Sequence, residues 1–154
     1  MKKFILGLFL ILGAISFAVP KNLNMNKISK AGYELSRQDD FSAIMNKMTD
    51  SEGISIAIFF EITEKNAAKE LFNNAKETAP KVLKLVNSFE NNEAYIAKYK
   101  GTDGPYFSYA FISKKLKSKD MYATVIYTTD KDLNGSELDK VVNSFFNQVE
   151  SFLK

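Results

Sequence analysis

Six short runs that are rich in apolar residues, several of them alternating with polar residues, predict β-strands. Turn-forming residues, such as GTDGP at 101–105, separate several of these runs. In chain order the runs are YELSRQ (33–38), SAIMNKM (42–48), ISIAIFFEIT (54–63), AYIAKYK (94–100), YFSYAFIS (106–113) and MYATVIYT (121–128). For SAIMNKM, a short apolar segment outside the sheet is the alternative. Because the later runs follow one another with short connections, they predict an antiparallel meander.

Two segments have a helical period instead. Apolar residues recur every three or four positions in residues 64–79, where Thr63 is the expected cap and Pro80 is expected to end the helix. A second apolar stripe follows Ser136, the predicted cap of a helix that runs to the end of the chain. Residues 81–89, KVLKLVNSF, fit a strand or a helix, and the preceding proline favours the strand.

The sequence therefore predicts one α+β domain over residues 31–154. We expect an antiparallel β-sheet of about six or seven strands with two main helices packed on it.

The first residues have the pattern of a secretory signal. MKKFILGLFLILGAISFA, residues 1–18, contains two lysines, an apolar run and small residues before a cleavage point after Ala18. The alternative is a membrane anchor, but about 12 to 14 apolar residues are fewer than the roughly 20 that span a bilayer. We expect a periplasmic or extracellular protein with no membrane span after cleavage, and a flexible leader at residues 19–30.

The net charge is small. The chain has 21 basic and 18 acidic residues, and removal of Lys2 and Lys3 leaves 19 against 18. A nucleic-acid partner is not expected, because such partners require a basic face. The densest basic cluster, KKLKSK at 114–119, is predicted to be a solvated turn, with an anion or lipid-headgroup patch as the alternative.

The chain contains neither cysteine nor histidine, which excludes thiolate and histidine-dependent catalysis. The acid pairs Asp39–Asp40 and Glu61–Glu64 lack a spacing that indicates acid–base catalysis. We therefore expect a non-enzymatic protein. A carboxylate-based hydrolase acting on glycans is the alternative.

The segment DKDLNGSELD, residues 130–139, has the spacing that opens a calcium-binding loop. Asp130, Asp132 and Asn134 match its first three oxygen ligands, but Val141 replaces the glutamate expected at the twelfth position. Two hypotheses follow: a weak calcium site in an adhesion module, or a turn that begins the last helix.

Aromatic residues concentrate on the meander. Tyr106 and Tyr109 are candidates for contact with an envelope protein or a surface glycan, together with Lys114, Lys115 and Lys117 in the next loop. Ordinary packing between strands is the alternative reading of the tyrosines.

The predicted order of elements, with the segments AYIAKYKG (94–101) and LDKVVNSF (138–145), resembles the PsbP-like fold, which includes DcrB-like proteins of the bacterial envelope. The resemblance implies a PsbP-like sandwich and an accessory role at a membrane or protein complex. One difference is that this chain has no tryptophan.

Overall fold

A computed structural model describes residues 22–117 and 120–154, so the predicted signal peptide lies outside the described residues. The described part contains three helices and seven strands. The helices are α1 (Met25–Lys30), α2 (Ala67–Glu77) and α3 (Gly135–Phe152). The strands are β1 (Glu34–Gln38), β2 (Ser42–Met48), β3 (Glu52–Phe59), β4 (Leu83–Glu90), β5 (Ala94–Gly101), β6 (Phe107–Ser113) and β7 (Tyr122–Thr129). The predicted α+β class is confirmed, and residues 83–89 of the ambiguous segment 81–89 lie in the strand β4.

The strands form one antiparallel sheet in the order β1-β2-β3-β7-β6-β5-β4. Each half of the sheet is a meander of strands adjacent in the chain. The two halves meet where β3 pairs with β7, with Ile56 opposite Val125. β1 and β4 are therefore the two edge strands.

Helices α1 and α3 cover one side of the sheet, which we call the α3 face. Its core contains Ile56 and Val125 from the central strands, and Val142 and Val149 from α3, all completely buried. Full burial of a side chain of this size contributes about 1.5–3 kcal/mol. This face therefore holds the larger part of the hydrophobic core.

Helix α2 covers part of the opposite side, the α2 face, and packs on β5 and β6. Phe72 lies against Ala97 and Ala110, and its ring stacks on Tyr95 with the centroids 5.4 Å apart. The small residue Ala68 lets the helix approach the sheet closely.

The expectation of a flexible leader is wrong for residues 22–30, the described part of that segment. Asn24 caps α1 by accepting a hydrogen bond from the Lys27 amide at 3.1 Å. Leu23 is completely buried and bridges to Leu153, and Ile28 is 1 % exposed. Because most residues of the segment are polar, its sequence does not indicate that Leu23 and Ile28 are core residues. Both side chains pack in the core beside the end of α3.

Three predicted boundaries also shift. β3 ends at Phe59 rather than at residue 63, because the next amide bonds to Phe41 O at 2.8 Å and Glu61 has a left-handed φ of 57°. The cap of α2 is Asn66 rather than Thr63, and the cap of α3 is Asn134 rather than Ser136.

Candidate functional site

A buried lysine lies at the loop that leads into α3. Lys98 on β5 is 7 % exposed. Its ammonium group donates hydrogen bonds to the Asp132 carboxylate, to Asn134 Oδ1 at 2.9 Å and to Leu133 O at 3.3 Å. The hydrogen bond from Lys98 is the main reason why the pKa of Asp132 lies below its ordinary value.

Aromatic rings surround the same ammonium. Lys98 Nζ lies 5.3 Å from the centroid of the Phe107 ring and 5.9 Å from that of Tyr109. Contacts of this kind stabilise a desolvated cation. The lysine is therefore held from the sheet side by rings and from the loop side by oxygens.

The residues of the predicted calcium loop do not fit a calcium ion. Asp132 and Asn134 do converge as that hypothesis requires, but the cation between them is the Lys98 ammonium. A divalent ion at the same oxygens would be repelled by this charge. Asp130 is exposed and is not among the partners of Lys98. Within residues 22–117 and 120–154, no cluster of three or more acidic residues is placed to hold a metal ion.

Tyr109 is not an exposed binding residue, and this part of the prediction is wrong. It is completely buried. Its hydroxyl donates to Lys131 O at 3.1 Å and accepts from the Leu133 amide at 2.7 Å. Alternation along β6 turns Tyr109 towards α3, so the ring supports the Lys98 loop instead of meeting a partner.

Tyr106 is half-buried and lies before β6. Its hydroxyl donates to Asp103 Oδ1 at 2.8 Å, and its ring covers Gly101. A Cβ atom at Gly101 would lie 2.4 Å from that ring, so any larger residue would have to displace the ring. The pKa of Tyr106 is raised to about 12, mainly by burial and to a smaller extent by the hydrogen bond to Asp103.

The lysines of the predicted basic patch have different environments. Lys114 pairs with Glu90 at 2.8 Å, and its Nζ lies 5.0 Å from the Tyr95 ring centroid. Lys115 and Lys117 are exposed, while Leu116 between them is buried in the core. Residues 118 and 119 of this loop lie outside the described part. The structure therefore does not bring these lysines and the tyrosines into one site.

The acid pair at 39–40 forms a turn. Asp39 Oδ1 accepts hydrogen bonds from the Phe41 amide at 2.9 Å and the Ser42 amide at 2.8 Å, and its carboxylate pairs with Arg37 at 3.3 Å. The bond from the Phe41 amide is the leading cause of a lowered pKa for Asp39. Asp39 is thus engaged in joining β1 to β2.

The part of the α2 face that α2 does not cover has an unusual composition. On β2, β3 and β7, the alternate positions on this side carry no charged side chain, and most are half-buried. Ile44, Ala57 and Phe59 belong to neither hydrophobic core. We call this surface the uncharged patch; its positions are Ser42, Ile44, Asn46, Met48, Gly53, Ser55, Ala57, Phe59, Tyr122, Thr124, Ile126 and Thr128. Gly53 and Ser55 are buried, and Tyr122 and Ile126 form the border of the patch, where they also pack against the cluster under α2.

Large apolar side chains mark the two ends of β2. Phe41, in the turn before the strand, is 66 % exposed, and Met48, at its end, is 46 % exposed. Between these two ends, the amide oxygen of Asn46 is buried and has no hydrogen-bond partner among the described residues. Sequence reasoning missed this surface, because β2, β3 and β7 become neighbours only through the pairing of β3 with β7.

A second apolar surface lies on the edge strand β4. Leu85, Val86 and Phe89 are 44 %, 53 % and 38 % exposed. The pairing of β4 with β5 shifts between Leu85 and Asn87, which indicates a bulge. Bulges on edge strands hinder pairing with a strand of another chain. We therefore do not expect β4 to bind a partner by strand addition.

In the described part of the chain, no helix has the length and apolar character needed to cross a bilayer. The chain matches no protein-family model, and comparison with curated proteins found no significant similarity.

Proposed function

We propose that this chain is an exported, non-enzymatic binding or accessory protein of the cell envelope, and that the uncharged patch contacts its partner. The observation that carries the proposal is the composition of the patch. Charged residues make up 25 % of the chain, so two or three would be expected among the ten patch positions that are not buried, and the patch has none.

On the side of an antiparallel sheet that only meets water, the strand positions are normally occupied by polar, often charged residues. Here Ile44, Ala57 and Phe59 take such positions. Loss of charge and gain of apolar side chains are typical of the central part of a protein interface. Removal of this area from water would contribute about 25 cal/mol per Å² of apolar surface.

Two sequence observations support the location and the role. The signal pattern at residues 1–18 supports export. The resemblance to PsbP-like and DcrB-like proteins supports an accessory role in the envelope rather than catalysis. The predicted cleavage is tested by isolating the protein from fractionated cells and sequencing its first residues, which should begin at Val19.

The binding proposal is tested by placing one charge in the patch. Full-length wild type and Ala57→Asp are expressed in the native host, and partners are captured by chemical cross-linking of intact cells. Wild type should capture a defined partner that the variant loses, because an unpaired buried carboxylate opposes binding.

The matched control is Asn73→Asp, which adds the same charge on the exposed side of α2. This variant should capture the partner as the wild type does. Asn73→Asp should melt at the wild-type temperature, because Asn73 is exposed. Ala57 is half-buried on a central strand, where aspartate is disfavoured, so Ala57→Asp should melt at a somewhat lower temperature but still in one cooperative transition above the temperature of the cross-linking. Capture of the same partner by Ala57→Asp would contradict the proposal.

A further inference from the structure

We infer that the partner contacts the uncharged patch through a single amphipathic helix that lies beside α2. The inference rests on the proposed function and specifies the partner at the same surface. It follows from the width, the height, the area and the charge of the space next to α2.

The width of the space matches one helix. Helix α2 lies over β5 and β6. Packed helices are about 8–10 Å apart, and neighbouring strands about 4.8 Å. A second helix in contact with α2 would therefore lie two strands further across the sheet, over β7 and β3. This position is the centre of the uncharged patch.

The height of α2 limits what else could reach the patch. The helix stands above the sheet on one side, with a diameter of about 10 Å including side chains. A flat sheet from another protein, or from a second copy of this chain, would meet α2 before it met Ala57 or Thr124. A single partner helix has a diameter similar to that of α2, so it could contact the side of α2 and the exposed strands at the same time.

The area also favours a short segment. Three strands about 20 Å long, at a spacing of about 4.8 Å, present roughly 300 Å². A stable complex between folded proteins buries about 800 Å² on each side. A helix of about 13 residues spans the length of β2. The patch is thus large enough for one helix, whereas a folded domain would need about 500 Å² of further contact around it.

The charges determine the character of that helix. The side chains of the patch are uncharged, so we expect the side of the partner helix that contacts them to be uncharged as well. On a helix, such a side is formed by residues at positions i, i+3, i+4 and i+7. On the neighbouring edge strand, Glu34 lies opposite Asn46 and Arg37 opposite Ile44. These two residues place opposite charges along the far rim, where the polar flank of an amphipathic helix would lie.

The experiment measures the distance between two contacts along the partner. A photoreactive phenylalanine analogue replaces Met48 or Tyr122 in the full-length chain, and cells are irradiated. These positions lie at opposite ends of the patch, roughly 20 Å apart along the strands. Cross-linked peptides are identified by mass spectrometry. The same analogue at Asn73, on the outer side of α2, is the control.

We expect both probes to reach one segment of one partner, at residues about 13–15 apart, since a helix rises 1.5 Å per residue. Adding Ala57→Asp should lower the yield from Met48 at least about tenfold, while Ala57→Ser should retain it.

Other outcomes overturn the inference in distinguishable ways. A separation of about six residues would indicate an extended strand, and two unrelated segments would indicate a larger surface. Cross-links to a second copy of this chain would indicate self-association. Each of these outcomes would contradict the inference that the partner segment is a helix, but not the proposal that the protein binds through the uncharged patch. If the cross-linking yields at Met48 and Tyr122 are no greater than the yield at Asn73, both the helix inference and the proposed binding function are contradicted.

Discussion

Lys98 Nζ lies 2.9 Å from Oδ1 of Asn134, a residue 36 positions further along the chain. This contact ties the loop before α3 to the middle of β5. The lysine supplies the positive charge for the oxygen atoms that the calcium hypothesis assigned to a metal ion. The structure of the loop thus depends on a residue in a distant strand.

Replacement of Lys98 by methionine should destabilise the fold. The apolar part of the side chain would remain, but the hydrogen bonds to Asp132, Asn134 and Leu133 O would be lost. Hydrogen bonds that involve a charged group contribute about 1.5–3 kcal/mol, so we expect a loss of that order. Urea unfolding measures it. The control is Lys100→Met on the same strand, where the side chain is exposed and the change should be within about 0.5 kcal/mol.

Calcium should not stabilise the wild-type protein. Extracellular calcium sites bind with dissociation constants of about 0.1–1 mM, so calcium at about 5 mM would raise the melting temperature if the loop bound it. Because the Lys98 ammonium already contacts Asp132, we expect no shift beyond that produced by magnesium. A calcium-specific rise that disappears in Asp132→Ala would contradict this expectation.

The stability of the protein should fall at alkaline pH, in part through Tyr33. Burial raises the pKa of this residue from 10.0 to about 12. Its stabilising contribution is therefore complete below pH 10 and is lost as the pH rises towards 12, because the unfolded chain ionises first.

The variant Tyr33→Phe tests this pH dependence. At neutral pH it should be less stable, because it lacks the hydrogen bond that Tyr33 donates to Gln148 Oε1 at 2.7 Å. The difference from wild type should narrow between pH 10 and 12. Urea unfolding at several pH values measures it, and a constant difference would contradict the assignment.

Gly101→Ala should destabilise the turn between β5 and β6. The new methyl group would lie 2.4 Å from the Tyr106 ring, which would have to move and lose its hydrogen bond to Asp103. Insertion of a methyl group into a packed site costs about 1–3 kcal/mol. The double variant with Tyr106→Ala should lose less than the sum of the single changes, because the clash is then absent.

Leu23→Ala should reduce stability as a core substitution does. Leu23 is completely buried and bridges to Leu153, so removal of its side chain leaves a cavity. Leucine-to-alanine changes at such sites cost about 2–5 kcal/mol. Thermal unfolding measures the loss. Lys27→Ala, at an exposed position of the neighbouring helix α1, should have little effect.

Much of the secondary structure follows from periodicity. The alternation in SAIMNKM and MYATVIYT and the three-to-four spacing in residues 64–79 identified β2, β7 and α2, with boundaries displaced by a few residues. α1 was missed because its six residues are mostly polar, and its stability comes from the burial of Leu23 and Ile28 against other parts of the chain. Tyr109 was misassigned because an aromatic strand looks the same whichever side faces a helix.

The sequence by itself determined the α+β class, most of the strand and helix segments and the lack of histidine and cysteine chemistry, because these depend on local spacing and composition. Tertiary structure decided that β3 pairs with β7, and so brought together an uncharged patch from segments about 70 residues apart. It also decided that a lysine meets the oxygens of residues 132–134. Neither contact has a local signal, since both are fixed by which strands become neighbours when the core is buried.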